Sequence, residues 1–250
     1  MTYCVALKLN AGLVCLADTR TNAGIDNISK FKKLFTWKKP GERAITMMTS
    51  GNLAITQAVM SLLQQNIDNP KENVETLFSA PSMFRVAEIV GEAMRTIQTR
   101  YGPGLSARGE NSTSAILLAG QRKGGQHRLF MIYSAGNFIE ATDDTPFLQI
   151  GEHKYGKPIL DRVIVPETPL GDALTATLLS MNATLKSNLS VGMPLDLTVQ
   201  REGAFDFDEE RRIEENDAAY EALSQAWSNG LKDAFQEMRD AMTSANRSSG

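Results

Sequence analysis

A chain of 250 residues, 42% of them hydrophobic, is long enough to bury a substantial core as one domain. Its formal net charge of −3 gives no electrostatic case for nucleic acid, and no apolar run is long enough to span a bilayer. The opening Met1-Thr2-Tyr3-Cys4 lacks the basic start of a secretory signal, so a cytoplasmic protein is expected.

The first element carries the first chemistry. A small second residue permits removal of Met1, which leaves Thr2 with a hydroxyl nucleophile and a free α-amine. An α-amine has an ordinary pKa of about 7.7–8 and is poised as a base near neutral pH. Residues 3–9 read as a strand, Asn10-Ala11-Gly12 as a turn and residues 13–17 as a second strand. A three-residue loop sets Leu9 against Leu13 and Asp18 against Cys4, so Thr2, Cys4 and Asp18 share one face. A two-residue turn reverses that parity. Cys4 and Cys15 fall in strands and are expected as buried, reduced thiols. His127 and His153 stand in no metal spacing, and no glycine-rich phosphate loop precedes a helix. No metal or organic cofactor is expected.

Residues 29–36 alternate as a strand, 38–41 turn, and 43–49 return. Lys33 lies in the first arm, and by pattern alone it is a solvated member of a basic cluster with Lys30 and Lys32. Gly51 ends the return strand just before a helix over 52–67 with an apolar stripe of Ile55, Val59, Leu62 and Leu63. A backbone N–H there, free of any ladder and near a helix N-terminus, is suited to an oxyanion. A second helix over 81–101 carries Phe84, Ala87, Val90, Met94, Ile97 and Tyr101 as a core stripe. Strands follow at 112–119, 129–134, 138–141 and 147–150, then a short helix from Gly151, a longer one over 170–188 and a last strand over 194–200. The order predicts an α+β fold.

From Phe205 the composition changes. Residues 206–212 form a charge run that reads as a solvated helix start. Tyr220, Leu223, Trp227, Leu231, Phe235, Met238 and Met242 then recur, with Ile213 before them, as an amphipathic helical extension over about 206–245, broken near Asn229-Gly230 and frayed over 245–250. Two readings stay open for it: a helix folded back on its own subunit, or a clasp between subunits.

The early motif, Thr2 and two strands followed by Ala17-Asp18-Thr19-Arg20-Thr21, Ala23-Gly24, Lys32-Lys33-Leu34 and Thr49-Ser50-Gly51-Asn52, resembles catalytic β-type subunits of the proteasome superfamily of N-terminal-nucleophile hydrolases. Stretches 150–158 and 187–192 are similar to the bacterial Anbu group, the ancestral β-subunit. The resemblance spans the chain to about residue 205. It implies a four-layer αββα sandwich as a single domain, with the C-terminal helices as an extension. It also implies a threonine peptidase or amidohydrolase in which Thr2 attacks a carbonyl and forms an acyl-ester. Asp18 holds Lys33 charged beside Thr2, and Gly51 N–H stabilises the oxyanion. Thr21, Phe31, Thr49 and Leu53 line the pocket for the residue before the scissile bond. Self-assembly into a ring or an open spiral and a peptide or peptide-like substrate follow from the same resemblance.

Two departures bear on activity. The family places a serine where Glu152 stands, and its second aspartate aligns with Ser187, with a nearby serine at Ser190. Ser187 can hydrogen-bond the threonine but supplies no charge. The alternatives are therefore a weak or silent assembly subunit, or an amide hydrolase or acyl-transfer enzyme with a specialised peptide-like substrate.

Overall fold

The computed structural model describes residues 2–22 and 28–248. Three expectations fall outside them: removal of Met1, the Ala23-Gly24 part of the motif, and fraying at residues 249 and 250. Contacts divide the chain into two compact units, one ending at Ile213 and one beginning at Glu214.

The first unit holds two five-stranded antiparallel sheets. One has the order β10 (Phe147–Gly151), β1 (Tyr3–Leu9), β2 (Gly12–Asp18), β11 (Leu195–Arg201), β12 (Glu209–Ile213). The other runs in chain order through β5 (Leu34–Lys39), β6 (Arg43–Gly51), β7 (Ser114–Arg122), β8 (Arg128–Tyr133) and β9 (Phe138–Glu140). A small ribbon pairs β3 (Arg20–Asn22) with β4 (Ile28–Lys30). Side-chain alternation along β6–β8 explains the layering. Ile45, Met47, Ile116, Leu118, Phe130 and Ile132 turn to one core with helices α1 (Leu53–Asp68) and α2 (Met83–Ser106). Met48, Leu117, Ala119 and Leu129 turn the other way, to a second core shared with Cys4, Ala6, Leu13, Cys15 and Ala17 of the facing sheet. The outer face of that facing sheet packs on α4 (Leu170–Ser187), which pairs with α3 (Lys157–Val163). Strands β1 and β2 are thus covered on both faces, which is why they read as nearly unbroken apolar runs. The result is the four-layer αββα sandwich expected from the resemblance.

Several local readings are corrected. The first hairpin pairs Leu9 with Gly12 across the two residues Asn10 and Ala11, so Cys4 faces Ala17 and not Asp18. The expected strand over 29–36 is two strands, β4 and β5, separated by residues 31–33. Helix α2 continues past Tyr101 through Pro103 to Ser106, with Phe84 and Tyr101 exposed and not in the core stripe. The helix expected from Gly151 begins at Lys157. The charge run contributes a strand: β12 pairs with β11, and Arg212 donates to Asp196 at 2.7 and 3.0 Å. Ile213 is buried in that strand.

The second unit is one helix, α5 (Ala218–Ser248), which passes through Asn229-Gly230 without the expected break. Its residues Leu231, Phe235, Met238 and Met242 lie at helical spacing and are exposed. No helix among the described residues is long and apolar enough to cross a membrane.

Candidate active site

The site gathers where three strands end. Thr2 precedes β1, Asp18 closes β2, and Lys33 sits just before β5. All three are buried, with Lys33 3% and Asp18 0% exposed. The Lys33 ammonium donates to Asp18 Oδ1 at 2.8 Å and to the Arg20 carbonyl at 2.5 Å. Lys33 is therefore not the solvated lysine that pattern alone suggests. Residues 31–33 leave the ladder, and the Lys33 carbonyl accepts the Thr49 N–H at 3.0 Å, which fixes this backbone against β6. Removing one partner of such a buried pair costs about 3–5 kcal/mol, because the other charge is left uncompensated.

Asp18 is opposite Tyr3 in the observed register, so pleating alone does not aim it at Thr2. Hydrogen bonds bring it there. Its Oδ1 accepts the Tyr3 N–H at 3.0 Å, and Oδ2 accepts the Gly192 N–H at 3.2 Å. Burial pushes the Asp18 carboxyl up from its ordinary pKa, while Lys33 and these two N–H groups pull against that shift. Tyr3 anchors the same segment: its hydroxyl lies 2.6 Å from Ser180 Oγ and accepts from Gln149 Nε2 at 2.5 Å. Burial raises its phenol to about 12, so it stays neutral.

Gly151 and Glu152 hold Thr2 from the other side. The register ends with Tyr3 opposite Gly151, and just beyond it the Glu152 N–H donates to the Thr2 carbonyl at 2.7 Å. Gly151 has φ +84°, and a Cβ there would lie 1.9 Å from the Thr2 carbonyl oxygen. Only glycine lets the chain turn this close.

Gly51 ends β6 with φ +100°, and a Cβ there would lie 2.2 Å from the Thr113 carbonyl oxygen. Strand alternation directs its N–H. Thr49 donates toward Lys33 and Asn52 donates the other way, to Thr113 at 3.0 Å, so Gly51 points its N–H to the Lys33 side. Asn52 then caps α1 by accepting the Ile55 N–H at 3.1 Å. The positive end of the helix thus lies beside the Gly51 amide.

These groups line a cavity of about 350 Å³ that includes Thr2, Thr21, Lys33, Thr49, Gly51 and Leu53, joined by Ser50, Thr56, Gly151 and Glu152. The first six are among the residues singled out from the sequence, and the structure brings them to one cavity. The last four were not expected as site residues, and β1–β10 pairing, which delivers two of them, is too distant in sequence to read locally. Phe31 is 37% exposed and is not part of this lining. Ser187 is exposed on the last turn of α4, and Ser190 is half-buried with its N–H bonded to Asn188 Oδ1 at 2.9 Å. Neither serine lines the cavity. Asn188 is the buried residue here, and its Nδ2 donates to Glu152 Oε2 at 3.3 Å. Cys4 donates its thiol to the Thr49 carbonyl at 3.7 Å, and burial pushes that thiol up, so it is no thiolate nucleophile.

A proteasome subunit family model matches residues 2–199. The chain belongs to the proteasome subunit family, in its Anbu branch. The branch rests on solved structures. An Anbu from a Hyphomicrobium species is 51% identical with a TM-score of 0.85, the alignment covering 94% of this chain and 97% of that one. Anbu from Yersinia bercovieri is 44% identical with a TM-score of 0.88, covering 94% and 96%. The helical assembly of the Anbu complex from Pseudomonas aeruginosa is 46% identical with a TM-score of 0.89, again covering 94% and 96%. No curated protein sequence matches this chain.

Proposed function

We propose that this Anbu-type subunit is an N-terminal threonine hydrolase acting on peptide or other amide bonds. The observation that carries the reading is the buried Lys33–Asp18 pair, whose lysine opens on the same cavity as Thr2. After Met1 is removed, the Thr2 hydroxyl attacks the carbonyl carbon while its α-amine, directly or through water, takes the proton. The Lys33 ammonium lowers the cost of developing charge on the Thr2 oxygen, and Asp18 keeps that ammonium in place. The Gly51 N–H and the α1 N-terminus stabilise the oxyanion. As the tetrahedral intermediate collapses, the protonated α-amine passes its proton to the leaving nitrogen, which departs as the amine product and leaves an acyl-ester on Thr2. Water, giving its proton to the same amine, then frees the acyl group as a carboxylic acid and restores the Thr2 hydroxyl. Thr21, Thr49 and Leu53 form a neutral, partly apolar wall for the residue before the scissile bond. Phe31, Ser187 and Ser190 have no part in this scheme, because they lie outside the cavity lining.

Self-assembly completes the proposal. It is supported by likeness to the Pseudomonas helical assembly and by the exposed stripe of Leu231, Phe235, Met238 and Met242 on α5. The direct test is Thr2→Ala, which keeps the fold while amide turnover falls by about 10⁴-fold or more. Turnover at the wild-type rate in that variant would sink the assignment.

A further inference from the structure

Glu152 is the one charged residue in the lining that the proposed mechanism does not use. Among the described residues that line the cavity, Lys33 and Glu152 carry charge. Lys33 is taken up by Asp18 and the Arg20 carbonyl. Glu152 is 9% exposed, and among the described residues its side chain is bonded by the neutral Asn188 amide alone, at 3.3 Å. Among the described residues Glu152 makes no ion pair: Lys33 is paired with Asp18, and the Arg20 guanidinium packs on Gly192 and donates to the Leu189 carbonyl. A buried carboxylate in that position calls for a cation.

The register says which cation is within reach. Thr2 and Glu152 lie one residue beyond the Tyr3–Gly151 pair that ends β1 and β10, and the 2.7 Å backbone bond joins them. Both residues line the same cavity. A glutamate has ample length to span from there to the nitrogen of its partner residue. The other charged or titratable groups around Thr2 are already engaged or face elsewhere. Asp18 binds Lys33, the Cys4 thiol binds Thr49, and Arg20 Nη1 donates to the Leu189 carbonyl at 2.9 Å. His153, the next residue after Glu152, is exposed, with Nδ1 3.3 Å from the Gly151 carbonyl.

We propose that Glu152 is a positioning residue for the Thr2 α-amine: its carboxylate, steadied by Asn188, accepts a hydrogen bond from the ammonium and orients the nitrogen toward the hydroxyl. The inference rests on the reading that Met1 is removed and Thr2 is the nucleophile. It gives the departure from serine at this place a physical role. A serine there offers a neutral partner, whereas Glu152 favours the charged form of the amine. The amine then gives up its proton at higher pH than an ordinary terminal amine, and the free base appears on the alkaline side. The loop at Asn188–Gly192 ties the two acidic groups together, since Asn188 holds Glu152 and Gly192 N–H holds Asp18.

The experiment compares the assembled wild-type protein with Glu152→Gln and Glu152→Asp. The rate at which acetic anhydride acetylates the Thr2 amine is followed against pH by the mass of the N-terminal peptide, a readout independent of hydrolysis. The midpoint in Glu152→Gln is expected to fall below that of wild type by about one pH unit or more, and Glu152→Asp is expected to restore most of the difference. Glutamine preserves shape and the Asn188 contact, so a merely structural role would not move the midpoint. Equal midpoints in wild type and Glu152→Gln would overturn the inference while leaving Thr2 as nucleophile. Retained Met1 would overturn both readings. A shifted midpoint in a protein that cleaves no amide would uphold the role of Glu152 and overturn the proposed hydrolase.

Discussion

Asp18 shows how one residue couples burial to chemistry. Its carboxyl is fully buried, so its folded pKa is raised above the unfolded value of about 3.9. The sign follows from linkage. The stabilisation linked to its protonated form is fully present below the unfolded pKa and is lost as pH rises through the folded one. Acidification through that window therefore does not unfold the protein by way of Asp18, yet it removes the charge that holds Lys33. Turnover should decline reversibly on the acid side, at a pH above that of an ordinary carboxylate, with near-UV circular dichroism unchanged. A decline that coincides with loss of tertiary signal would contradict this. At the same scale, Thr2, Asp18 and Lys33 were legible because a hydroxyl, a strand-end acid and a lysine stand in a recurring order. Ser187 was placed by alignment alone. The buried stripe of α4 includes Ser180 and Thr184, so its next step falls on Asn188, and helical phase leaves Ser187 outside.

At the scale of elements, the site depends on how strands end. The period-2 pattern of residues 3–9 and 13–17 revealed both strands, but loop length decides parity and the sequence 10–12 is compatible with two registers. The observed two-residue loop would carry Asp18 away from Thr2 had its carboxylate not been drawn back by Tyr3 and Gly192 N–H groups. The break at residues 31–33 was hidden for a similar reason. Alternation persists through it while the backbone leaves one ribbon and joins another sheet. Gly151 is the element end with the least freedom. Gly151→Ala forces a Cβ against the Thr2 carbonyl and a left-handed backbone that costs about 1–2 kcal/mol. The variant should melt earlier and lose about 10²-fold or more of its reactivity at Thr2, since displacements near 1 Å suffice for such losses. Wild-type reactivity with an unchanged melting temperature would show that Gly151 does not set the position of Thr2.

For the molecule as a whole, the order of elements carried most of the architecture. Strands, two helices, strands, two helices and a strand are local patterns, each visible in its own window. Which strands pair across long intervals was not visible. The pairs β1 with β10 and β2 with β11 join segments well over a hundred residues apart, and the first of them brings Gly151 to the cavity beside Thr2. The charge run that forms β12 misled because an edge strand exposed to solvent can be highly charged. The stacking of the two sheets follows from the resemblance and from no local pattern.

The central claim is that this architecture presents Thr2 as a competent nucleophile. It is tested most directly by the intact mass of the protein before and after exposure to a peptide electrophile with two adjacent reactive centres, which requires an amine and a hydroxyl on one terminal residue. The account predicts a chain lacking Met1 that gains one reagent per subunit, mapped to Thr2 and absent from Thr2→Ala. A chain that keeps Met1, or one that loses it and takes up no reagent at Thr2, would contradict the account.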